Sequence, residues 1–234
     1  MDKYLYLTIN LASISGPFLA SFYPKHAFYK SWASFFKANS IVALFFILWD
    51  ILFTHLGVWG FNSRYLLGIN FFNIPLEEFM FFFFIPYASV FVYFSLNYLV
   101  KNNPLDKYHR SVTLFFAAAL VLIAAFYSER LYTSITFLLT SGYLFFNYVN
   151  KISLSRIYFS YSVVFFFFLI VNGILTGSFI EEPVVWYDNN ENLGIRIGTI
   201  PVEDVFYGFL LVGSIIQLFE FFNSENKKMT NPDC

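Results

Sequence analysis

Seven apolar runs, at about 4–22, 36–54, 79–100, 111–127, 131–149, 157–176 and 203–222, are each long enough to cross roughly 30 Å of hydrocarbon as a helix. In lipid a chain must satisfy its own backbone N–H and C=O groups, and successive apolar runs do so as helices. The pattern predicts an all-α, polytopic membrane protein of about seven transmembrane helices. Charged residues make up 12% of the chain, about half the usual share in a soluble domain, which supports that class.

Polar or helix-breaking clusters separate the runs, among them Tyr23-Pro24-Lys25-His26, Lys101-Asn102-Asn103-Pro104 and Asn150-Lys151. The run at 131–149 carries Asn147 and several Ser and Thr and is the most polar. The first run has only Lys3 as a basic flank and no small-x-small site before the next basic loop, so it reads as a retained helix rather than a cleaved signal.

Ten basic residues fall on one side of these spans: Lys25, Lys30, Lys37, Lys101, Lys107, Arg110, Lys151, Arg156, Lys227 and Lys228. The other side keeps Lys3, Arg64, Arg130 and Arg196. The positive-inside rule then predicts an integral cell-membrane protein with its carboxyl terminus in the cytoplasm and its amino terminus outside. A net charge of −1 offers no basic excess for nucleic acid, so membrane lipid is the expected surrounding; homo-oligomerisation is left open.

Two long outer loops, about 55–76 and 177–201, are related. Leu67-Gly68-Ile69-Asn70-Phe71-Phe72-Asn73-Ile74-Pro75-Leu76-Glu77-Glu78 aligns without a gap to Leu193-Gly194-Ile195-Arg196-Ile197-Gly198-Thr199-Ile200-Pro201-Val202-Glu203-Asp204, with six of twelve positions identical. Unrelated segments of that length share roughly one identity, so the chain is read as an internal duplication. Upstream, with a short gap, Trp59 falls near Trp186 and Asp50 near Asn172. A shift of four helices keeps both copies pointing the same way, which gives parallel repeats. The expected division is a first three-helix repeat at 1–105, a connecting helix at 106–129 and a second repeat at 130–234.

Pro75 and Pro201 suit the first turn of a helix, and Asn73 and Thr199 before them are capping types, so Glu77, Glu78, Glu203 and Asp204 are expected to begin helices. First-turn acids complement the helix dipole, which is a sufficient structural reason for any one of them. Their doubling, its recurrence in the second repeat and the Phe-rich helix that follows point instead to function. Equivalent acids facing one cavity would be desolvated and would repel one another, which keeps one carboxyl protonated and able to act as a general acid. Neighbouring positions lie about 100° apart on a helix, so Glu77 and Glu78 are expected to differ in role. Asp50 is the one acid deep in a predicted span.

His26, His55 and His109 do not form a helical metal pair, and no Asp-rich metal cluster, phosphate loop, nucleophile elbow or dinucleotide fingerprint occurs. The lone Cys234 offers neither a disulfide within the chain nor a thiolate metal site. No metal and no cofactor is therefore expected. What remains is acid–base chemistry in an apolar chamber.

The paired motifs Pro75-Leu76-Glu77-Glu78 and Pro201-Val202-Glu203-Asp204, on a small aromatic-rich helical membrane protein, resemble the bacterial lycopene cyclases that occur as two small subunits or as their fusion, and the cyclase portion of fungal bifunctional carotenoid enzymes. With both motifs in one chain, the match is to the fused form. The resemblance implies a lycopene β-cyclase, an intramolecular lyase or isomerase acting on a lipophilic polyene and closing lycopene through γ-carotene to β-carotene without net redox change. It implies Glu77, Glu78, Glu203 and Asp204 as the catalytic acids and bases, with Asp50, Trp59, Asn172, Trp186, Pro75 and Pro201 around the substrate. Two other classes fit the same sequence: a small parallel-repeat transporter, and a related membrane cyclase or hydratase acting on another carotenoid or terpenoid.

Overall fold

The computed structural model describes residues 2–230, with side chains as far as residue 226; Cys234 and the side chains of Lys227 and Lys228 lie outside the described residues. Seven α-helices carry the described chain: α1 Leu5–Ala20, α2 Trp32–Leu56, α3 Leu76–Leu99, α4 His109–Phe126, α5 Leu131–Val149, α6 Ser155–Leu175 and α7 Val202–Thr230. Helices α2, α3, α4, α6 and α7 are long and apolar enough to cross a membrane. The remaining two depart from that standard for different reasons: α1 has only 16 residues, and α5 buries Thr133, Ser134, Thr136, Thr140, Ser141 and Asn147.

The order α1, α2, loop, α3 recurs as α5, α6, loop, α7, with α4 between the two halves and laid against α5. Helices α1 and α3 pack together, as do α5 and α7. The halves interlock because α2 packs on α7 and α6 packs on α3, each middle helix lying against the last helix of the other half. The core between them is aromatic: Phe46 and Trp49 of α2 each lie 4.9 Å from the ring of Tyr207 on α7. Pro86 interrupts α3, and without its N–H the Phe82 carbonyl one turn earlier has no helical donor. Asn39 of α2 donates to that carbonyl at 3.1 Å, so the break is satisfied by a neighbouring helix rather than by water.

The two outer loops contain six short strands: β1 Trp59–Phe61, β2 Asn70–Phe71, β3 Ile74–Pro75, β4 Val185–Tyr187, β5 Arg196–Ile197 and β6 Ile200–Pro201. Strands β2 and β3 form one hairpin, β5 and β6 its counterpart, and β1 pairs antiparallel with β4 across the two repeats. Each hairpin turns through a residue in the left-handed region, Phe72 at φ 56° in the first and Gly198 at φ 65° in the second. Gly adopts that conformation freely, whereas Phe adopts it at a cost. Pro75 and Pro201 end the hairpins, and Pro75 is the cap residue of α3 rather than a member of its first turn. The side chains expected to cap these helices are engaged elsewhere: Asn73 donates to the Ile51 carbonyl and Thr199 bonds to Thr176, Ser178 and the Gly173 carbonyl.

At the surface, Arg64 ties the halves together through Asp2 at 2.8 Å and Glu181 at 2.6 Å. The hydrogen bond to Arg64 holds the Asp2 carboxyl below its ordinary range.

Candidate active site

Each hairpin delivers its acidic pair to the start of a helix, where the two side chains diverge. Glu77 turns back under its own loop and accepts the Leu67 N–H at 2.6 Å; Glu203 does the same with the Leu193 N–H at 2.7 Å and also accepts from Thr133 at 2.6 Å. Both are fully buried and neither lines the cavity described below. A buried carboxylate oxygen on a backbone N–H fixes the loop to the helix, since either group left alone would be costly.

Glu78 and Asp204 instead line one cavity of ≈ 540 Å³, which they share with Asp50. The Tyr6 hydroxyl on α1 donates to Glu78 Oε2, and the Tyr132 hydroxyl on α5 donates to Asp204 Oδ1. The two tyrosines stand 126 residues apart, as do Pro75 and Pro201, so the Tyr–carboxyl pair is part of the repeat.

Beyond that shared element the halves differ. Asp204 Oδ2 also accepts from Asn172 at 2.8 Å and from Tyr187 at 2.9 Å, so donors occupy both of its oxygens. Burial, with the Asp204 carboxylate beside it, pushes the Tyr187 hydroxyl well above its ordinary range, which keeps its proton available for this bond. Glu78 has no partner besides Tyr6 among the described residues. With a gap of four residues against the 126-residue register, Asp50 aligns with Asn172, each with a Thr one turn on. Its Oδ1 accepts from Trp59 Nε1 at 2.5 Å and from Thr54 at 3.4 Å, while its Oδ2 is buried without a partner.

The roof over these carboxyls is the β1–β4 ribbon. Trp59 and Tyr187 are cross-strand partners and both face the cavity. The Tyr132 ring lies 5.1 Å from Trp59 and stacks on Tyr187 at 5.7 Å, and Tyr207 closes the group at 6.2 Å from Trp59. Trp186, by contrast, is 44% exposed and pairs with Gly60 on the outer face of the ribbon. Strand alternation sends it away from the cavity that its neighbour Tyr187 enters. A side chain at Gly60 would overlap the Trp186 ring, so the pair is a packing device. Pro75 and Pro201 are buried at the hairpin ends, outside the cavity lining.

Of the residues singled out from sequence, Asp50, Trp59, Glu78, Asn172 and Asp204 thus come together on the cavity, while Glu77, Glu203, Trp186, Pro75 and Pro201 lie outside its lining. Tyr6, Tyr132, Tyr187 and Tyr207 went unrecognised; extending the motif register upstream pairs Tyr6 with Tyr132 and was signal enough for those two. No group of three metal-ligand side chains occurs among the described residues.

No curated protein and no solved structure matches the chain. The family model described as Lycopene cyclase matches it twice, over residues 3–96 and 129–222. The two matches start and end with the same displacement, 126 residues, that separates Tyr6 from Tyr132 and Glu78 from Asp204. Together they span well over half of the sequence and take in both acidic motifs and both tyrosines, and on that ground the chain belongs to the lycopene cyclase family.

Proposed function

We propose that this carotenoid cyclase is a lycopene β-cyclase, forming β-ionone rings by way of γ-carotene, and that its two repeats build one reaction centre. The observation that carries this reading is the meeting of Asp50, Glu78 and Asp204 on a single apolar, aromatic-roofed cavity. Asp50 and Glu78 each keep an oxygen without a hydrogen-bond partner among the described residues, so either can present an O–H to an alkene. Asp204, with donors on both oxygens, is arranged as a carboxylate and serves as the base.

The step balances without an oxidant. The carboxylic O–H of the Asp50–Glu78 pair adds its proton to the terminal double bond and leaves a tertiary cation. The π electrons of the neighbouring double bond close the ring and move the cation onto it. Asp204 removes a ring proton, whose C–H electrons become the ring double bond. One proton enters, one leaves, and substrate and product are isomers. Trp59, Tyr132, Tyr187 and Tyr207 offer ring faces to the passing cation. With the β1–β4 ribbon they also screen it from water, which would otherwise trap it as an alcohol. The lysine and arginine bias supports an orientation with this roof on the outer side and the carboxyl terminus in the cytoplasm.

Production of the chain in a bacterium that accumulates lycopene, followed by pigment chromatography, tests the reading. Bicyclic product, or monocyclic product on the way to it, is the expected result. Unchanged lycopene despite confirmed membrane insertion overturns it.

A further inference from the structure

The cavity does not stop at the carboxyls. Its walls continue along α1 from Tyr6 to Ala20 and along α3 from Glu78 to Val92. Each stretch is fifteen residues, a rise of roughly 21 Å at 1.5 Å per step. The α1 wall consists of Ala12, Ser13, Gly16, Pro17 and Ala20, whose spacing of three and four places them on one face. Ala12, Gly16 and Ala20 are nonetheless exposed, as is Phe167 on the α6 wall. The lower cavity is therefore a groove, open sideways between α1 and α6 and floored by Ile85, Ala88 and Ser89 of α3.

The second repeat has no need of such space and does not keep it. At the 126-residue register, Leu138, Leu139, Tyr143 and Phe146 stand where the first repeat has Ala12, Ser13, Pro17 and Ala20; only Gly16 has a small counterpart, Gly142. A lipid-facing helix ordinarily carries large apolar residues of the kind found on α5, because lipid does not require a hollow. On α1 the small residues create one. Asp50 also lines the cavity, and its Oδ2 is buried without a partner among the described residues.

Resting on the cyclase reading, we infer that the α1–α6 groove is the seat of the substrate's extended polyene chain. The chain enters sideways from the bilayer and lies along α3 with its reacting end at Asp50 and Glu78. Ala12, Gly16 and Ala20 set the width and the usable length of the seat. A straight conjugated chain needs such a slot, narrow, apolar and continuous with the acids, and no hydrogen bonds along it.

Gly16 is the place to test this, because a Cβ there meets nothing within 4 Å and the helix tolerates a side chain. Gly16→Phe should lower lycopene conversion about tenfold or more at matched membrane levels, by displacing the reacting end from the acids. Leu19→Phe, on the exposed face of α1 outside the cavity, should stay within about twofold of the native chain. Ala20→Phe, at the far end, should depress conversion of lycopene more than that of a shorter acyclic polyene with the same end groups. A general packing defect would not produce that split. Native conversion by Gly16→Phe, or equal losses on both polyenes in Ala20→Phe, overturns the groove while leaving the cyclase standing. Failure of the native chain to convert lycopene instead sinks the cyclase reading itself.

Discussion

The two halves of the molecule share a backbone plan and a Tyr–carboxyl pair, yet they surround that pair differently. Around Asp204 the second repeat supplies Tyr132, Tyr187 and Asn172, three donors on one carboxylate. Around Glu78 the first supplies, among the described residues, Tyr6 as the one donor and, in the place the alignment gives to Asn172, a second acid, Asp50. Duplication made two equal acids possible; divergence of their neighbours suits one to give a proton and the other to take it. Acid–base catalysis needs one carboxyl protonated and another ionised, and unequal neighbours favour a fixed assignment of the two roles.

The sharpest way to break this comparison is to remove the carboxylates one at a time. Asp204→Asn, which retains shape but removes the proposed base, should lower conversion about a thousandfold. It should also divert part of the product toward alcohols or misplaced double bonds, visible by chromatography with mass detection. Glu78→Gln and Asp50→Asn, which remove one member of the proposed donor pair, should instead lower conversion without diverted products. Equal product patterns for all three would remove the division of labour.

The tyrosines come next. Tyr6→Phe takes away the one partner Glu78 has among the described residues, whereas Tyr132→Phe leaves Asp204 with two donors. Losses in initial rate of about tenfold and about threefold respectively are expected, from one hydrogen bond to a charged or ionisable group in each case. A reversed order would show that Asp204 depends on Tyr132 more than the geometry implies.

Smaller effects fall on the acids that hold the loops. Glu77→Ala strands one donor, the Leu67 N–H, while Glu203→Ala strands two, the Leu193 N–H and the Thr133 hydroxyl. The first should cost about 1–3 kcal/mol of stability and the second more, measured by thermal unfolding in detergent. The smallest change should be a gain. Phe72→Gly relieves the left-handed strain that Gly198 already avoids, and should stabilise the first hairpin by about 1 kcal/mol with conversion unchanged.

Much of this arrangement could be read from the residues in order. Seven helices overlie the apolar runs, α7 continuing to Thr230 beyond its run, and for the five long apolar ones length and apolarity set the segment. The doubled acids could be placed at helix starts, and Asp50 stood out as an acid where none is cheap. The β1–β4 ribbon could not be foreseen: three-residue strands carry no periodic signal, and their partners are 128 residues apart at Trp59 and Tyr187. That pairing is also why Trp186 turns outward while Tyr187 turns in. The separation of Glu77 from Glu78 needed coordinates as well, since a 100° difference in direction says that two side chains part, not which one meets a loop and which a cavity.

The groove opens on the α1–α6 flank of the protein, and this bears on how a symmetric molecule is processed. On the proposed reading, lycopene presents one terminus per visit. To have the other end closed, the half-finished molecule must slip out, turn around in the bilayer and compete with fresh lycopene for re-entry. The proportion of singly to doubly ringed pigment would then follow from crowding in the membrane, so that a cell rich in lycopene accumulates the intermediate and a cell poor in it runs to completion.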